Sequence, residues 1–345
     1  MRALHNRVNK RILKQQLHTN PADRITLSFY KYHQIDNPTD FRDKLYATWS
    51  PLGIMGRIYV AHEGINAQMS IPNENKDAFM KTMEETGFLK GVRLNTAIED
   101  NGKSFFVLKI QVKKKIVADG IHDESFDAGN SGQHLDAKAF NELSSLPSTV
   151  IVDMRNHYES EVGHFKDAIC PDVDTFKDSL PMVENMLLEK KDEHVIMYCT
   201  GGIRCEKASA WMKHRGFKNV FQLDGGIIEY ARQVKAQGLE NKFVGKNFVF
   251  DERLGERISP LVISVCHQCG KPCDTHTNCR NEACHLLFIQ CEACAEKYSG
   301  CCSEECKEII SLPADAQKEL RKGKGQGRKV YKKGRSPKIK FKGTL

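Results

Sequence analysis

The stretch HVIMYCTGGIRC, residues 194–205, reads as a buried strand, a short loop with two glycines and the entry to a helix. Five apolar or aromatic residues in near-continuous array exceed what a half-solvated strand would carry, so both faces of this strand should be covered. The helix signal that follows, CEKASAWMKHRG, places Cys199 at a strand end and the loop at a helix N-terminus.

The same alternation extends to either side. AKAFNELSSL reads as helix, TVIVDMR as buried strand, TFKDSLPMVENMLLEKK as helix, NVFQL as short strand and GIIEYARQVKAQG as helix. Apolar strands alternating with helices predict a parallel sheet with helices on both faces, an α/β domain over residues 135–260.

Upstream the pattern changes. ITLSFYKY, RIYVA and NAQMSI read as strands, with a helix after Pro38 and another after Pro72-Asn73. VRLNTAI and SFFVLKIQVK follow as strands joined at Asn101-Gly102, a dipeptide that signals a hairpin. This order predicts a ferredoxin-like (acylphosphatase-like) α+β sandwich over residues 1–113. Residues 114–134, polar and glycine-bearing, are expected to form a surface linker.

Ten of the thirteen cysteines lie between Cys266 and Cys306. Their clustering in CxxC-type pairs argues for metal in a reducing compartment rather than a secreted disulfide scaffold. The pairs Cys266/Cys269, Cys279/Cys284, Cys291/Cys294 and Cys302/Cys306 can supply two tetrahedral zinc sites. An interleaved partition, first pair with third and second with fourth, is the expected one. Cys273 and Cys301 are left over, and His267, His276 or His285 could replace a cysteine. An iron–sulfur cluster is the alternative that four thiolates allow. The module, residues 261–312, is too small to fold on apolar burial alone, so metal would supply folding free energy.

The formal charge of +8 belongs to the end of the chain. Residues 318–345 carry twelve Lys or Arg against the single acid Glu319, leaving the rest slightly acidic. Such a segment, residues 313–345, is expected to be disordered alone and either solubilising or suited to phosphates, with Tyr331 and Phe341 able to stack on bases. No apolar run reaches signal-peptide or membrane-span length, which predicts a cytoplasmic protein with no membrane partner.

The chemistry concentrates at Cys199. Loop amides from Thr200 to Arg204, a helix dipole and the fixed cation of Arg204 should favour its thiolate, and Gly201 and Gly202 should permit positive φ and close backbone approach. A buried structural cysteine is the bland alternative. Cys205 could be a resolving thiol or a packing residue.

The loop resembles that of rhodanese domains, Cys-x4-Arg, which is sized for a sulfane sulfur; the related phosphatases use Cys-x5-Arg. Asp153-Met154-Arg155, then Glu159, Gly163 and His164, resemble the rhodanese pattern DxR followed by ExxxGH. On that pattern Asp153 and Arg155 brace the site; from the behaviour of paired charges in cores, Arg155 with Glu159 is expected to form a semi-buried ion pair that fixes the loop, a catalytic pair being the alternative. HEGINAQ at 62–68, DMRNHYE at 153–159, CTGGIRCEKASAWMKH at 199–214, GGIIEYAR at 225–232, NFVFDERLGERIS at 247–259 and CHQCGKPCDTHTNC at 266–279 extend the likeness over most of the chain. Together they resemble the bacterial oxygen-dependent tRNA uridine hydroxylases, rhodanese-domain proteins that form 5-hydroxyuridine at the wobble position. Cys170-Pro171 and the basic tail depart from that pattern.

The resemblance implies an oxidoreductase acting on the tRNA anticodon loop, with molecular oxygen as co-substrate and Cys199 as the essential residue. The alternative function is a sulfurtransferase that passes persulfide sulfur from Cys199 to tRNA or to a protein. No dinucleotide fingerprint and no facial triad for iron stand in the sequence, so the electron donor is unnamed.

Overall fold

The computed structural model describes Leu13, residues 23–323, residues 329–332 and Ile339. The first unit runs β1 (Arg24–Tyr32), α1 (Pro38–Trp49), β2 (Met55–Ala61), β3 (Gly64–Pro72), α2 (Lys76–Glu85), β4 (Asn95–Thr96) and β5 (Leu108–Val112). Asn37 starts α1 by accepting from the Asp40 amide, with Pro38 in the first turn where no amide donor is needed. The strand order is β4-β1-β3-β2-β5. Leu45 and Trp49 of α1 and Phe79 and Met83 of α2 pack with Ile58, Val60, Ala67 and Met69 in one core. Alternate residues then belong to the opposite face of the sheet, where Tyr30, Asn66 and Tyr59 stand in one cross-strand row and Gln68 beside Arg57 in the next.

One expectation at the sheet edge is corrected. β4 pairs with β1 and β5 pairs parallel with β2, so the two strands lie on opposite edges and form no hairpin. Asn101-Gly102 makes a turn, with Gly102 at φ 67°. Asp100 is what diverts the chain: its carboxylate accepts from the Gly102 amide at 3.0 Å and from the Thr26 hydroxyl at 3.0 Å, tying the turn to β1.

Residues 114–134 are more than a surface linker. Ile116, Asp119 and Ile121 are buried, and Ile121 joins a core cluster of the second unit. The polar composition concealed a strap whose charges are paired: Lys115 reaches Asp119 at 2.6 Å and the Ile121 carbonyl at 2.9 Å.

The second unit contains β6 (Gln133–Leu135), α3 (Ala137–Leu143), β7 (Thr149–Asp153), α4 (His157–Ser160), β8 (Gly163–Phe165), α5 (Phe176–Met186), β9 (His194–Tyr198), α6 (Ile203–His214), β10 (Asn219–Leu223), α7 (Gly226–Gln237), β11 (Phe243–Asn247) and β12 (Glu256–Arg257). The main sheet is parallel, in the order β6-β10-β9-β7. Val195 and Met197 of β9 enter one core cluster and Ile196 and Tyr198 the other, which is the covering on both faces that the apolar run required. A small antiparallel sheet, β12-β11-β8, extends this unit.

The cysteine-rich unit has β13 (His276–Asn278), β14 (Leu286–Ile289), α8 (Glu292–Lys297), α9 (Glu304–Ser311), α10 (Ala314–Arg321) and β15 (Lys329–Val330). Here the expectation of a disordered tail is corrected for the described residues. Residues 329–330 add a parallel strand to the open edge of β14, the Tyr331 ring lies 4.1 Å from that of His267, and Ile339 is buried against the second cysteine group. Val330, Tyr331 and Ile339 are thus tied to the module through apolar contact and a strand edge, in spite of the charge around them. Residues 324–328, 333–338 and 340–345, Phe341 among them, lie outside the described residues. Among the described residues no helix is long and apolar enough to cross a membrane.

Candidate active site and cysteine centres

Cys199 follows the last residue of β9 and is 1% exposed. The helix after it begins at Ile203, two residues earlier than the sequence suggested, with Gly202 as its N-cap. The Gly202 amide donates to Sγ at 3.2 Å. Gly202 takes φ 98°, and a Cβ there would lie 2.9 Å from Oη of Tyr30. Gly201 needs no such freedom: its φ is ordinary and a Cβ would make only van der Waals contact with Asn95.

The carbonyls of the loop are held from below. Ile227 and Ile228, in the first turn of α7, donate to the carbonyls of Cys199 and Thr200 at 3.0 and 3.2 Å. Gly226 permits this approach, because a Cβ would meet the Cys199 carbonyl oxygen at 2.5 Å. With its carbonyls so engaged, the loop is left with amides directed toward the sulfur.

Burial would push the Cys199 thiol up. The hydrogen bond from the Cys205 thiol, the Arg204 guanidinium and the amides of Arg204 and Gly202 outweigh it and hold the group down at about 6. Cys205, wholly buried and facing the Cys199 sulfur, is pushed up. The arrangement therefore keeps a thiolate at position 199 and a thiol at position 205 at neutral pH.

Arg204 is fixed by a two-pronged pair with Glu159, Nη1 to Oε2 at 2.8 Å and Nη2 to Oε1 at 2.9 Å. This corrects the expected Arg155–Glu159 pair. Arg155 instead turns back on Asp153, two residues earlier, with Nε to Oδ1 at 2.9 Å and Nη2 to Oδ2 at 2.7 Å. It also donates to the Gly163 carbonyl at 2.6 Å, and Tyr198 donates to Asp153 at 2.8 Å. Asp153 and Arg155 thus knit β7, β8 and β9 together beneath the loop, and neither lines the cavity above it. His164 contacts the Phe165 carbonyl at 2.9 Å.

Above Cys199 lies a cavity of about 520 Å³, within the size range of small-molecule sites. Its floor includes Cys199, Thr200, Gly201 and Arg204; its walls come from the free face of the first sheet and from the segment 249–256. Phe250 lies across from Arg204, whose guanidinium carbon is 5.9 Å from the ring centroid. Arg57 and Lys113 stand at the exposed side.

The two units that form the cavity are joined by charge. Lys207 of α6, 1% exposed, donates to Glu63 at 2.7 Å and Asp119 at 2.5 Å. Tyr30 donates to Glu206 at 2.9 Å, and Arg93 meets Asp224 through both nitrogens at 2.5 Å. Sequence reasoning missed Glu63, Lys207, Asn95, Phe250 and Glu256. Asn95 stood in a predicted strand with no motif around it, and the others fell inside strings that carried the family likeness.

The cysteines fall into two groups: Cys266, Cys269, Cys291 and Cys294, and Cys279, Cys284, Cys302 and Cys306, the four sulfurs of each within 4.8 Å of one another. This is the interleaved grouping. The Cys269–Cys291, Cys284–Cys302 and Cys302–Cys306 sulfurs are 3.6, 3.7 and 3.8 Å apart, close to the ~3.8 Å edge of a tetrahedron with ~2.3 Å metal–sulfur bonds. Either group could hold a metal ion. The three candidate histidines belong to neither group, and His267 instead meets Glu161 at 2.8 Å.

Residues 24–116 match the UPF0176 acylphosphatase like domain, residues 136–233 the Rhodanese-like domain and residues 244–307 the Rhodanase C-terminal family. A tRNA uridine(34) hydroxylase of Pectobacterium carotovorum is 56% identical over 334 residues, covering 96% of this chain and 94% of its own. Those of Photorhabdus laumondii and Salmonella arizonae are each 54% identical over 336 residues, covering 97% of this chain and 96% of theirs. With identity at this level over nearly the whole of both sequences, the chain belongs to the tRNA uridine(34) hydroxylase family.

Proposed function

We propose that this protein hydroxylates the wobble uridine of tRNA, giving 5-hydroxyuridine, with Cys199 as the reacting group. The observation that carries the reading is a thiolate held at about 6 on the floor of a nucleoside-sized cavity, in a chain of this family. An anticodon loop presents unstacked bases, so seating one in the cavity costs little. Arg57 and Lys113 at the exposed side of the cavity supply cations for its phosphates, and the lysines and arginines of residues 318–345 are suited by charge to others.

In this reading Sγ of Cys199 adds to C6 of the uracil, and the negative charge passes to C5 and O4, making C5 reactive toward oxygen. Arg204 and the loop amides hold the sulfur as its charge leaves and returns. Oxygen enters at C5, a two-electron donor reduces the second oxygen atom to water, and loss of the C5 proton expels the thiolate. Gly202 shapes the loop, while Asp153 and Arg155 support it without touching substrate.

Zinc suits both cysteine groups, because four thiolates at tetrahedral spacing leave no open position for catalysis. There it would cross-link the module and hold β14 ready for β15. The compartment consistent with free thiols and a tRNA substrate is the cytoplasm.

The test is mass spectrometry of tRNA nucleosides from cells lacking the gene, complemented with wild type or Cys199→Ser. The reading expects 5-hydroxyuridine to vanish and to return only with wild type. Its persistence without the gene, in a strain with no second hydroxylase, would sink it. Sulfur transfer, which the six-residue loop also permits, predicts cysteine-dependent turnover of thiosulfate and cyanide instead.

A further inference from the structure

The Cys199 sulfur has neighbours of different kinds on its two sides. Toward the cavity it belongs to the floor, with Thr200, Gly201 and Arg204. Toward the core it meets Cys205, whose thiol donates a hydrogen bond to it. Cys205 is wholly buried and is not among the residues that line the cavity. It shares a core cluster with Cys199, Val195, Met197 and Ala208.

The backbone holds the two sulfurs together. Cys205 stands in the first turn of α6, and its amide donates to the Gly202 carbonyl at 2.9 Å. The Gly202 amide in turn donates to the Cys199 sulfur at 3.2 Å, so one residue fixes both members of the pair. The third cysteine of this unit, Cys170, is engaged elsewhere, its sulfur contacting the Ala168 carbonyl at 3.7 Å. A thiolate open to a cavity, with a sheltered thiol against its far side, is the arrangement in which an oxidised sulfur is resolved within the chain.

We infer, taking the hydroxylation reading as given, that Cys199 and Cys205 are the two-electron donor of the reaction, Cys199 accepting the second oxygen atom and Cys205 releasing it as water. Oxygen bonds to C5 of the Cys199 adduct and takes a proton, giving a hydroperoxide. Loss of the C5 proton breaks the C6–S bond and returns the Cys199 thiolate. Its sulfur attacks the outer oxygen, and the O–O bond breaks. The inner oxygen stays on C5 and takes a proton, which completes 5-hydroxyuridine, and Cys199 is left as a sulfenic acid.

The Cys205 sulfur then attacks that of Cys199. An S–S bond forms as the S–O bond breaks, and the departing hydroxide takes the Cys205 proton and leaves as water. The uracil C5–H bond and the thiol pair have each given up two electrons, which accounts for the reduction of both oxygen atoms. A dithiol from solution restores the pair by exchange at Cys199, the sulfur that the cavity reaches.

The experiment uses the full-length protein with its thiols reduced and free dithiol removed, mixed in air with tRNA from the gene-deleted cells. Nucleoside mass spectrometry counts product, and peptide mapping reads the state of each thiol. The wild type should form about one 5-hydroxyuridine per chain and stop with Cys199 and Cys205 joined, because one disulfide carries two electrons. Dithiothreitol should restart it. Cys170→Ser should form the same disulfide. In Cys205→Ser the hydroxyl keeps a donor beside the sulfur but cannot close an S–S bond, so Cys199 should end as a sulfenic acid that dimedone labels, whereas the wild type should take up little label.

The wild-type measurement stands without any variant, so misfolding of Cys205→Ser does not decide the outcome. Product formed while both thiols stay reduced, or no product until a donor other than a dithiol is added, overturns the inference and leaves the hydroxylation reading in place. Dimedone labelling of the wild type as complete as that of Cys205→Ser overturns it too. The hydroxylation reading fails separately, through 5-hydroxyuridine that persists in the gene-deleted cells.

Discussion

Glu159 and Arg204 meet through two parallel N–H···O bonds of 2.8 and 2.9 Å, with the carboxylate wholly buried. Geometry of this kind is what makes a buried pair costly to break from one side. Glu159→Gln leaves the Arg204 cation uncompensated, and denaturant unfolding should show a loss of about 3–5 kcal/mol. Arg204→Lys keeps the charge but cannot form the fork, so nucleoside formation should fall even where the variant is folded. A variant within error of wild type in both measurements would show the pair to be dispensable.

The rate of Cys199 alkylation by iodoacetamide should rise with pH around an inflection near 6. Burial works against ionisation, and the Cys205 thiol is foremost among the groups that oppose it. Cys205→Ala should therefore move the inflection upward, while Cys205→Ser, which keeps a donor, should hold it. The sign for stability follows. A thiol whose native pKa is depressed stabilises the fold fully above the unfolded value near 9, and that contribution fades as pH falls toward 6. Unfolding midpoints of wild type and Cys199→Ala should converge as pH is lowered.

Lys207 is the charge on which the two units close. Lys207→Met removes the buried cation shared by Glu63 and Asp119, leaving Glu63 without its cation at the seam and Asp119 with Lys115 alone, and a loss of about 3 kcal/mol is expected. Arg93→Ala, which removes a partly exposed pair with Asp224, should cost only about 0–1 kcal/mol. The contrast, read by thermal unfolding, separates buried from surface charge.

Metal analysis of the purified protein should find two ions per chain. Cys284→Ser should lower the content and expose the module to limited proteolysis, and a strong chelator should do the same to wild type. Cys273→Ser, outside both groups, should leave the content unchanged.

Replacing Lys322, Lys324 and Arg328 by Gln should reduce the salt slope of tRNA binding by about 0.7–0.9 for each phosphate that these side chains neutralise in the wild-type complex. These residues leave Val330 and Tyr331 in place, so the substitution tests charge without removing β15. An unchanged slope would make the tail a packing element alone.

Much of this was legible in the chain because each signal was local. The apolar run at 194–198 demanded a sheet covered on both faces, and pair spacing in the cysteines demanded two thiolate groups. What escaped was set by tertiary partners. Asn101-Gly102 turns the chain as its residues require, but Asp100 decides that the turn leads across the sheet. The charge of residues 329–332 suggested solvent, and only the free edge of β14 shows where Val330 and Tyr331 go. Arg155 and Glu159 were sound choices for ion pairing with the wrong partners, since spacing along a sequence does not tell which carboxylate a guanidinium will face. Asn95 carried no signal of its own.

The interleaving of the cysteine pairs has a consequence for how ions enter. Closing Cys266 and Cys269 onto Cys291 and Cys294 draws the intervening chain, with Cys279 and Cys284, into a loop whose ends are already fixed. The second ion then meets ligands that have lost most of their freedom, and its loop-closure entropy has largely been spent by the first. Loading should therefore be cooperative, with empty and doubly filled chains dominating a titration and singly filled chains scarce.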